Sequence, residues 1–404
     1  MALDVRVDGD RVIVDFDHHS PTIAPDPYPT YAELRERCPV AWSEHHGGFW
    51  VLSGYEDVWN ATNDDDTFRS APTVALPPPE YGIRNIPIDT DNPETQQLRK
   101  VLLPAYTPAT AKRMEPEVRA LATELLDAVV AHGTCDLVAD FSMPLPARMI
   151  MRMLGFPEHQ WDFFAERVHR IAHGIVDDPE GVTTAALEMA GQIWEQMEHR
   201  RHGGLGEDQL SMIMQATVDG QPLSDADVMS FAMLILFGGL DTTTGSLANA
   251  AILIDRDPEL RRRLLCDPAA ISRAVEEVLR FWAPVQGLGR TLSRDVEVGG
   301  QCLRAGERAL LLWASANRDT AEFPQPDTVD IDRPVNRHMA FGVGLHRCLG
   351  SNLGRMMFCV MLEELLRRMP DFAVVGDPHE ARYADAANVY AVTSLSVTFT
   401  PTRP

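Results

Sequence analysis

Lysine is almost missing from this sequence of 404 residues: only Lys100 and Lys112 occur, and arginine supplies the other basic side chains. Acidic residues outnumber basic ones by 59 to 36, a net charge of -23. A chain so negative is repelled by phosphate backbones and anionic headgroups, which argues against nucleic acid or a membrane as a general partner. No apolar run approaches the ~20 residues that span a bilayer; the longest obvious one is FAMLILF, residues 231–237. No basic start followed by an apolar stretch opens the chain, so no secretory signal is visible and a soluble, cytoplasmic protein is expected. The six cysteines (Cys38, Cys135, Cys266, Cys302, Cys348, Cys359) contain no CxxC pair. An intracellular chain of this length needs no disulfide framework, and reduced thiols are expected. Repeats, low-complexity linkers, a dinucleotide fingerprint and an iron–sulfur cysteine pattern are missing as well.

What is present suffices for a large core, since 45% of the residues are apolar. GFWVLSGY (48–55) reads as a strand, and the proline-rich stretch 71–93 as a long surface loop. From residue 94 to about 280 the apolar spacing is mostly helical, as in EVRALATELLDAVVAHG with its closing glycine; after Arg280 come shorter strands and turns. The tail VYAVTSLSVTFTP (389–401) alternates as a strand or hairpin does. The expected class is mainly α with minor β sheets.

One predicted helix, residues 223–254, opens at Ser224 as N-cap with Asp227 three residues on, and runs about thirty residues, roughly 45 Å. In its middle stand Gly238 and Gly239, each costing a helix about 1 kcal/mol relative to alanine, then Asp241 and three threonines. Helical spacing places Gly238, Asp241 and Thr242 on adjoining parts of one face, against which something flat could lie. Tight helix packing, with Thr242 bonding back to the Gly238 carbonyl, is the alternative.

In EEVLR (276–280), Glu277 and Arg280 are three apart on another helix, and Arg333 offers a second cation for the same carboxylate. Cys348 sits in MAFGVGLHRCLG (339–350), just before a helical pattern whose N-terminus favours a thiolate. A nucleophile would use His346 as base, and a zinc site would draw on His338, His346 and Cys348. A single thiolate holding a haem iron accounts for both this loop and the glycine–acid–threonine helix.

FGVGLHRCLG (341–350) resembles the haem loop of cytochrome P450s, FGxGxHxCxG. GGLDTT (238–243) resembles the oxygen-activating stretch of that family's long central helix, Glu277 with Arg280 resembles its ExxR pair, and Arg333 stands where the partner arginine is expected. The similarity runs from PDPYPTYAELR to the terminal strand and is greatest to the soluble bacterial class. It implies one P450 domain over residues 1–404, with the central helix over haem b (iron protoporphyrin IX). Cys348 would be the proximal ligand, Phe341 the shield of its sulfur, and Gly238 and Gly350 close neighbours of the haem. Arg99, Arg290 and His346 resemble the propionate partners. Thr95 departs from the family, which often shows a histidine there. Asp241 and Thr242 would deliver the protons that O2 activation consumes, and Glu277, Arg280 and Arg333 would be structural.

By the same resemblance the substrate pocket draws on Val74, Leu76, Tyr81, Ile83 and Ile86 of the long loop, Leu234 and Ile235 of the central helix, Val285 and Leu288, and Val389, Tyr390 and Ala391 near the end. Nearly all are apolar, so the expected substrate is a lipophilic small molecule of terpenoid, steroid or similar size. Arg84 is read as a solvated surface arginine. His169 and His173 have metal spacing on a helix but no further ligand nearby in sequence, so no metal is expected there. Met143, Met149, Met151 and Met153 read as core or pocket wall. Electrons must come from outside, from a ferredoxin and its reductase. Between residues 333 and 368, arginines 333, 337, 347, 355, 367 and 368 face only Glu363 and Glu364, and Arg337 and Arg347 are expected in a docking face for an acidic ferredoxin. The implied reaction is hydroxylation or epoxidation with O2 and two electrons; a non-catalytic haem-thiolate sensor and a peroxide-driven variant are the alternatives.

Overall fold

Helical periodicity between residues 94 and 280 becomes a set of packed helices that shape the site: α1 (Glu94–Leu102), α2 (Pro108–Asp127), α3 (Pro144–Leu154), α4 (Trp161–His173), α5 (Pro179–Gly203), α6 (Asp225–Gly239), α7 (Asp241–Arg256) and α8 (Ala270–Phe281), followed later by α9 (Ser351–Arg368). The structure is a computed structural model describing residues 3–79, 82–385 and 387–403. Local chemistry sets the helix ends. Thr107 accepts the Thr110 N–H ahead of Pro108 in α2, and Gly155 closes α3 at φ 70°. Ser224 and Asp227 form the capping box expected at the start of α6. The glycine expected after the last turn of α2 arrives late, because that helix stops at Asp127 and turns lead to Gly133.

The long central helix is two helices rather than one. They meet at Leu240 (φ -78°, ψ -74°), where the hydrogen-bond ladder stretches: Leu240 N–H reaches the Leu236 carbonyl at 3.3 Å and Thr244 N–H the Leu240 carbonyl at 3.2 Å. Two glycines weaken the helix just before the joint. Two threonines load it just after, as Thr242 Oγ1 donates to the Gly238 carbonyl (2.9 Å) and Thr244 Oγ1 to the Leu240 carbonyl (3.0 Å). The most apolar part of this pair, of mean hydropathy 1.3, is 61% buried within the chain, as in a core helix.

Seven short strands form the largest sheet: β1 (Val5–Asp8), β2 (Arg11–Val14), β3 (Val40–Ser43), β4 (Phe49–Leu52), β5 (Phe68–Arg69), β6 (Leu288–Leu292) and β7 (Arg308–Leu311), in the spatial order β1-β2-β3-β4-β7-β6-β5. All four residues of β4 are buried, and Trp50 keeps its indole N–H satisfied by donating to Glu307 (2.7 Å). The tail does not fold on itself as a hairpin. Ser396–Thr398 pairs antiparallel with Ala373–Val374 on one side and with Thr134–Asp136 on the other, and the Leu137 N–H donates to the Leu395 carbonyl (2.8 Å).

Among its described residues the long loop 71–93 has no helix or strand, yet two acids organise it. Asp89 accepts from the N–H groups of Val74 (2.8 Å) and Asn85 (2.9 Å), and Asp91 from Ser70 (2.8 Å). The Leu76 carbonyl takes the Nε2 atoms of both His18 and His19 at 2.8 Å. Val74, Leu76 and Ile86 are therefore drawn into the core.

Candidate cofactor cavity and active site

The loop 339–350 ends at α9 and is built by its glycines. Gly342 and Gly344 adopt φ 62° and 68°, and a Cβ on Gly344 would meet Asn63 Oδ1 at 3.0 Å and the Thr62 carbonyl at 3.1 Å. The Cys348 N–H donates to the Phe341 carbonyl (2.8 Å), and the Phe341 ring lies under the Arg355 guanidinium at 4.3 Å. Cys348 opens toward the cavity and is otherwise enclosed by protein. Burial pushes its thiol up from the ordinary value, and the Gly350 N–H with Arg99, Arg355 and Arg347 only partly offset that. The helix N-terminus alone thus does not favour the thiolate; a cation at the sulfur must.

Helix α8 anchors the segment leading into this loop. Glu277 takes Arg280 bidentately (Nε 2.8 Å, Nη2 2.7 Å), the Asp330 N–H (2.9 Å), Asn336 Nδ2 (3.1 Å) and, more loosely, Arg333 Nε (3.4 Å). Arg280, fully buried, also donates to the carbonyls of Asn317 (3.0 Å) and Pro326 (2.8 Å). Its neighbour Glu276, not singled out from sequence, binds Arg355 (2.6 and 2.9 Å) and lies 3.0 Å from His338 Nε2. Burial alone would raise the Glu276 carboxyl; His338 and Arg355 outweigh it and hold it at about 2.

Between this loop and α6–α7 opens a cavity of about 280 Å³. Phe341, Cys348 and Gly350 form one wall, and Leu234, Ile235, Gly238 and Thr242 belong to the other; Arg99, His346, Val285 and Leu288 also line it. A Cβ on Gly238 would meet nothing within 4 Å, whereas one on Gly239 would strike Ile150 Cδ1 at 2.4 Å. The two glycines serve different ends: Gly238 leaves the cavity open, and Gly239 lets α3 pack.

Several expected pocket residues lie elsewhere. Val74 is held on both sides, its N–H by Asp89 and its carbonyl by Gly289 (2.7 Å), and Leu76 and Ile86 are buried under the loop. Ile83 packs half-buried against the main core. Val389 bridges Val285, and Tyr390 sits in the core against Tyr28, with its hydroxyl on the Pro25 carbonyl (3.1 Å). Ala391 closes on Gly245, and Tyr81 lies outside the described residues. In their place Pro87, Ile88, Ile150 and Met153 line the cavity. Periodicity could not find them, because a cavity wall and a core face have the same pattern.

Thr242 lines the cavity, but Asp241 does not. Successive helical residues point about 100° apart, and Asp241 is buried toward α4, with Oδ1 2.8 Å from His169 Nδ1 and Oδ2 3.9 Å from His173 Nε2. Burial alone would lower His169; the Asp241 carboxylate outweighs it and raises it.

Arg99 and His346 line the cavity, and Arg290 stands behind them, close enough for its charge to act on His346. Arg290 is fully buried, donates to the Gly289 carbonyl (2.8 Å) and makes no ion pair among the described residues; burial pulls it down to about 10, against the charge of Asp91. Burial, then the charges of Arg290 and Arg99, pull His346 down to about 3 and keep it neutral. Such an arrangement suits carboxylates. Thr95 contributes nothing there, since it is buried against Thr90 Oγ1 (2.7 Å). A thiol, a carboxylate cradle and a flat open helix face together fit a haem.

Five of the six arginines between 333 and 368 have acidic partners contributed largely by other segments: Glu277 for Arg333, Glu322 for Arg337, Glu276 for Arg355, Glu364 for Arg367 and Asp127 for Arg368. Exposed Arg347 makes no ion pair among the described residues. The basic stretch is therefore mostly neutralised, and Arg337 is not a free cation. Arg84 pairs with Glu94 at the surface.

Residues 270–374 match the family model for Cytochrome P450. The chain is 36% identical over 394 residues to Cytochrome P450 130 of Mycobacterium tuberculosis, covering 93% of this chain and 95% of that protein. It is 32% identical over 378 residues to Steroid C26-monooxygenase of the same species, covering 93% and 94%. Among solved structures, CYP109E1 from Bacillus megaterium in complex with testosterone superposes with a TM-score of 0.85 at 29% identity, over 94% of this chain and 99% of that one. Loop, ion-pair anchor, cavity and kinship agree, and this chain belongs to the cytochrome P450 family of haem-dependent monooxygenases.

Proposed function

We propose that this P450 binds haem b through Cys348 as a single domain. It hydroxylates or epoxidises a lipophilic molecule of steroid or terpenoid size, using O2 and two electrons from a cytoplasmic ferredoxin and its reductase. The observation that carries this reading is one apolar cavity lined by both the Cys348 thiol and the Thr242 hydroxyl. Haem, when bound, supplies O2 activation at a thiolate-held iron. The chain's own residues do the rest. Arg99, Arg290 and His346 hold the propionates, and Phe341 covers the sulfur's side. Asp241 relays protons from behind the helix joint and Thr242 presents one at Oγ1, releasing its bond to the Gly238 carbonyl to do so. Steroid size accords with a relative named for steroid oxidation and a similar structure holding testosterone.

Thr242→Ala tests this assignment. Reductant consumption is expected to continue while product per electron falls several-fold and free hydrogen peroxide rises; fully coupled turnover would remove Thr242 from proton delivery. Leu234→Trp should weaken steroid-induced spin-state shifts or move the oxidised position, and an unchanged product profile would take Leu234 out of the pocket. For the electron donor, Arg347→Glu should slow reduction by the ferredoxin roughly tenfold at low salt and flatten its salt dependence. Arg337→Glu should do much less, because Glu322 already neutralises that side chain. Stopped-flow reduction across ionic strengths separates the two; equal effects would move the docking face off Arg347.

A further inference from the structure

Turned away from the cavity, Asp241 meets two histidines one helical turn apart on α4. One ligand atom from each of His169, His173 and Asp241 lies within 4.8 Å of the other two. Neither Asp241 oxygen nor His173 Nε2 makes a hydrogen bond, although all three atoms are buried. His169 approaches Oδ1 at 2.8 Å, off the direction its N–H would need.

His173 is oriented from behind. Its Nδ1 lies 2.7 Å from the Asp385 carbonyl oxygen, and Tyr383 stacks on its ring at 3.7 Å and 4°. A carbonyl can only accept, so Nδ1 carries the proton and Nε2 presents a lone pair. A nitrogen lone pair thus faces a carboxylate oxygen at 3.9 Å, and neither atom has a hydrogen-bond partner among the described residues. A cation or a bridging donor between them would satisfy both.

Histidines four apart aim at one point, a backbone carbonyl holds the far nitrogen of one, and a carboxylate completes three ligands with a coordination position left open. The missing third ligand had argued against a metal here, and the fold supplies it from α7. We propose that His169, His173 and Asp241 form a binding site for a divalent transition-metal ion of the zinc class. The site rests on these three side chains and not on the proton-delivery reading. A metal held there would compete with that role for the same carboxylate.

A second grouping, Asp17, His18 and His46, is a weaker candidate because His46 Nε2 already bonds Asp17 (2.7 Å). It serves as the control. Haem-loaded protein, stripped with chelator, is dialysed against micromolar Zn2+ and its bound zinc titrated by calorimetry and elemental analysis. Wild type and His46→Ala are expected to hold one zinc per chain at this site, with His173→Ala and Asp241→Asn each weakening it at least tenfold. The carbon monoxide difference spectrum confirms that each variant is folded. If folded His173→Ala and Asp241→Asn take up zinc as wild type does, or wild type takes up none, the site is overturned and a bridging water fills the gap. Zinc content is read without turnover, so failure of the proposed reaction would leave this result standing.

Discussion

Replacing Cys348 with alanine is expected to abolish the strongly red-shifted carbon monoxide band of the reduced, haem-loaded protein and all monooxygenase turnover. The helices should remain, because Cys348 holds the loop through its backbone, by the N–H to the Phe341 carbonyl, and not through its side chain. Far-ultraviolet circular dichroism of the variant should match wild type while the red-shifted band is gone. A band retained in Cys348→Ala would remove this residue as the ligand. The raised thiol adds a second readout. Burial raises the Cys348 thiol above its ordinary value, and ligation requires the thiolate. Haem uptake by wild type should therefore release about one more proton than uptake by Cys348→Ala, measurable by calorimetry in buffers of different ionisation enthalpy.

Arg280→Ala is expected to have the next largest effect, and on stability before chemistry. Arg280 and Glu277 are both essentially solvent-free. Removing one partner of a buried pair leaves an uncompensated charge, at about 3–5 kcal/mol, against the ~5–15 kcal/mol that a folded domain commands. Arg333, at 3.4 Å, is too loosely placed to take over. Little haem-loaded protein should be recovered, and the urea midpoint of what is recovered should fall sharply. Arg280→Lys should fail as well, since a point charge cannot reproduce the bidentate fork or the bonds to the Asn317 and Pro326 carbonyls. The double variant Glu277→Leu with Arg280→Met should also be destabilised, because the largely buried Arg333 side chain then loses its carboxylate partner. If Arg280→Ala folded with an unchanged midpoint, the anchoring role would be lost.

The features legible in the sequence were those whose chemistry is local. The glycines around Cys348, the capping box at Ser224 and the three-residue spacing of Glu277 and Arg280 state their geometry within a few positions. What escaped depended on partners far along the chain. Counting charges between 333 and 368 suggested a basic face, yet Glu322, Glu276 and Asp127 reach those arginines from other elements. Helical spacing brought Asp241 and Thr242 together, but only the packing of α4 decides that the acid faces two histidines and the alcohol the cavity. The apolar loop residues were read as pocket because loops border pockets; Asp89 and paired histidines on the Leu76 carbonyl instead pull Val74 and Leu76 inward. Nothing in the apolar pattern separates Ile150 and Met153, which face open space, from neighbours that face atoms.

The small sheet that joins the two halves of the chain bears on how the protein is made. Its middle strand, Ser396–Thr398, leaves the ribosome about 260 residues after its partner Thr134–Asp136, the span from 136 to 396. At ~5–20 residues per second, that partner waits roughly ten to fifty seconds with its backbone groups unanswered by the strand they will pair with. Residues 134–137 thus form a timed vulnerability of the nascent chain. A message truncated before codon 395 would yield a product carrying every haem-side residue yet lacking its last clasp.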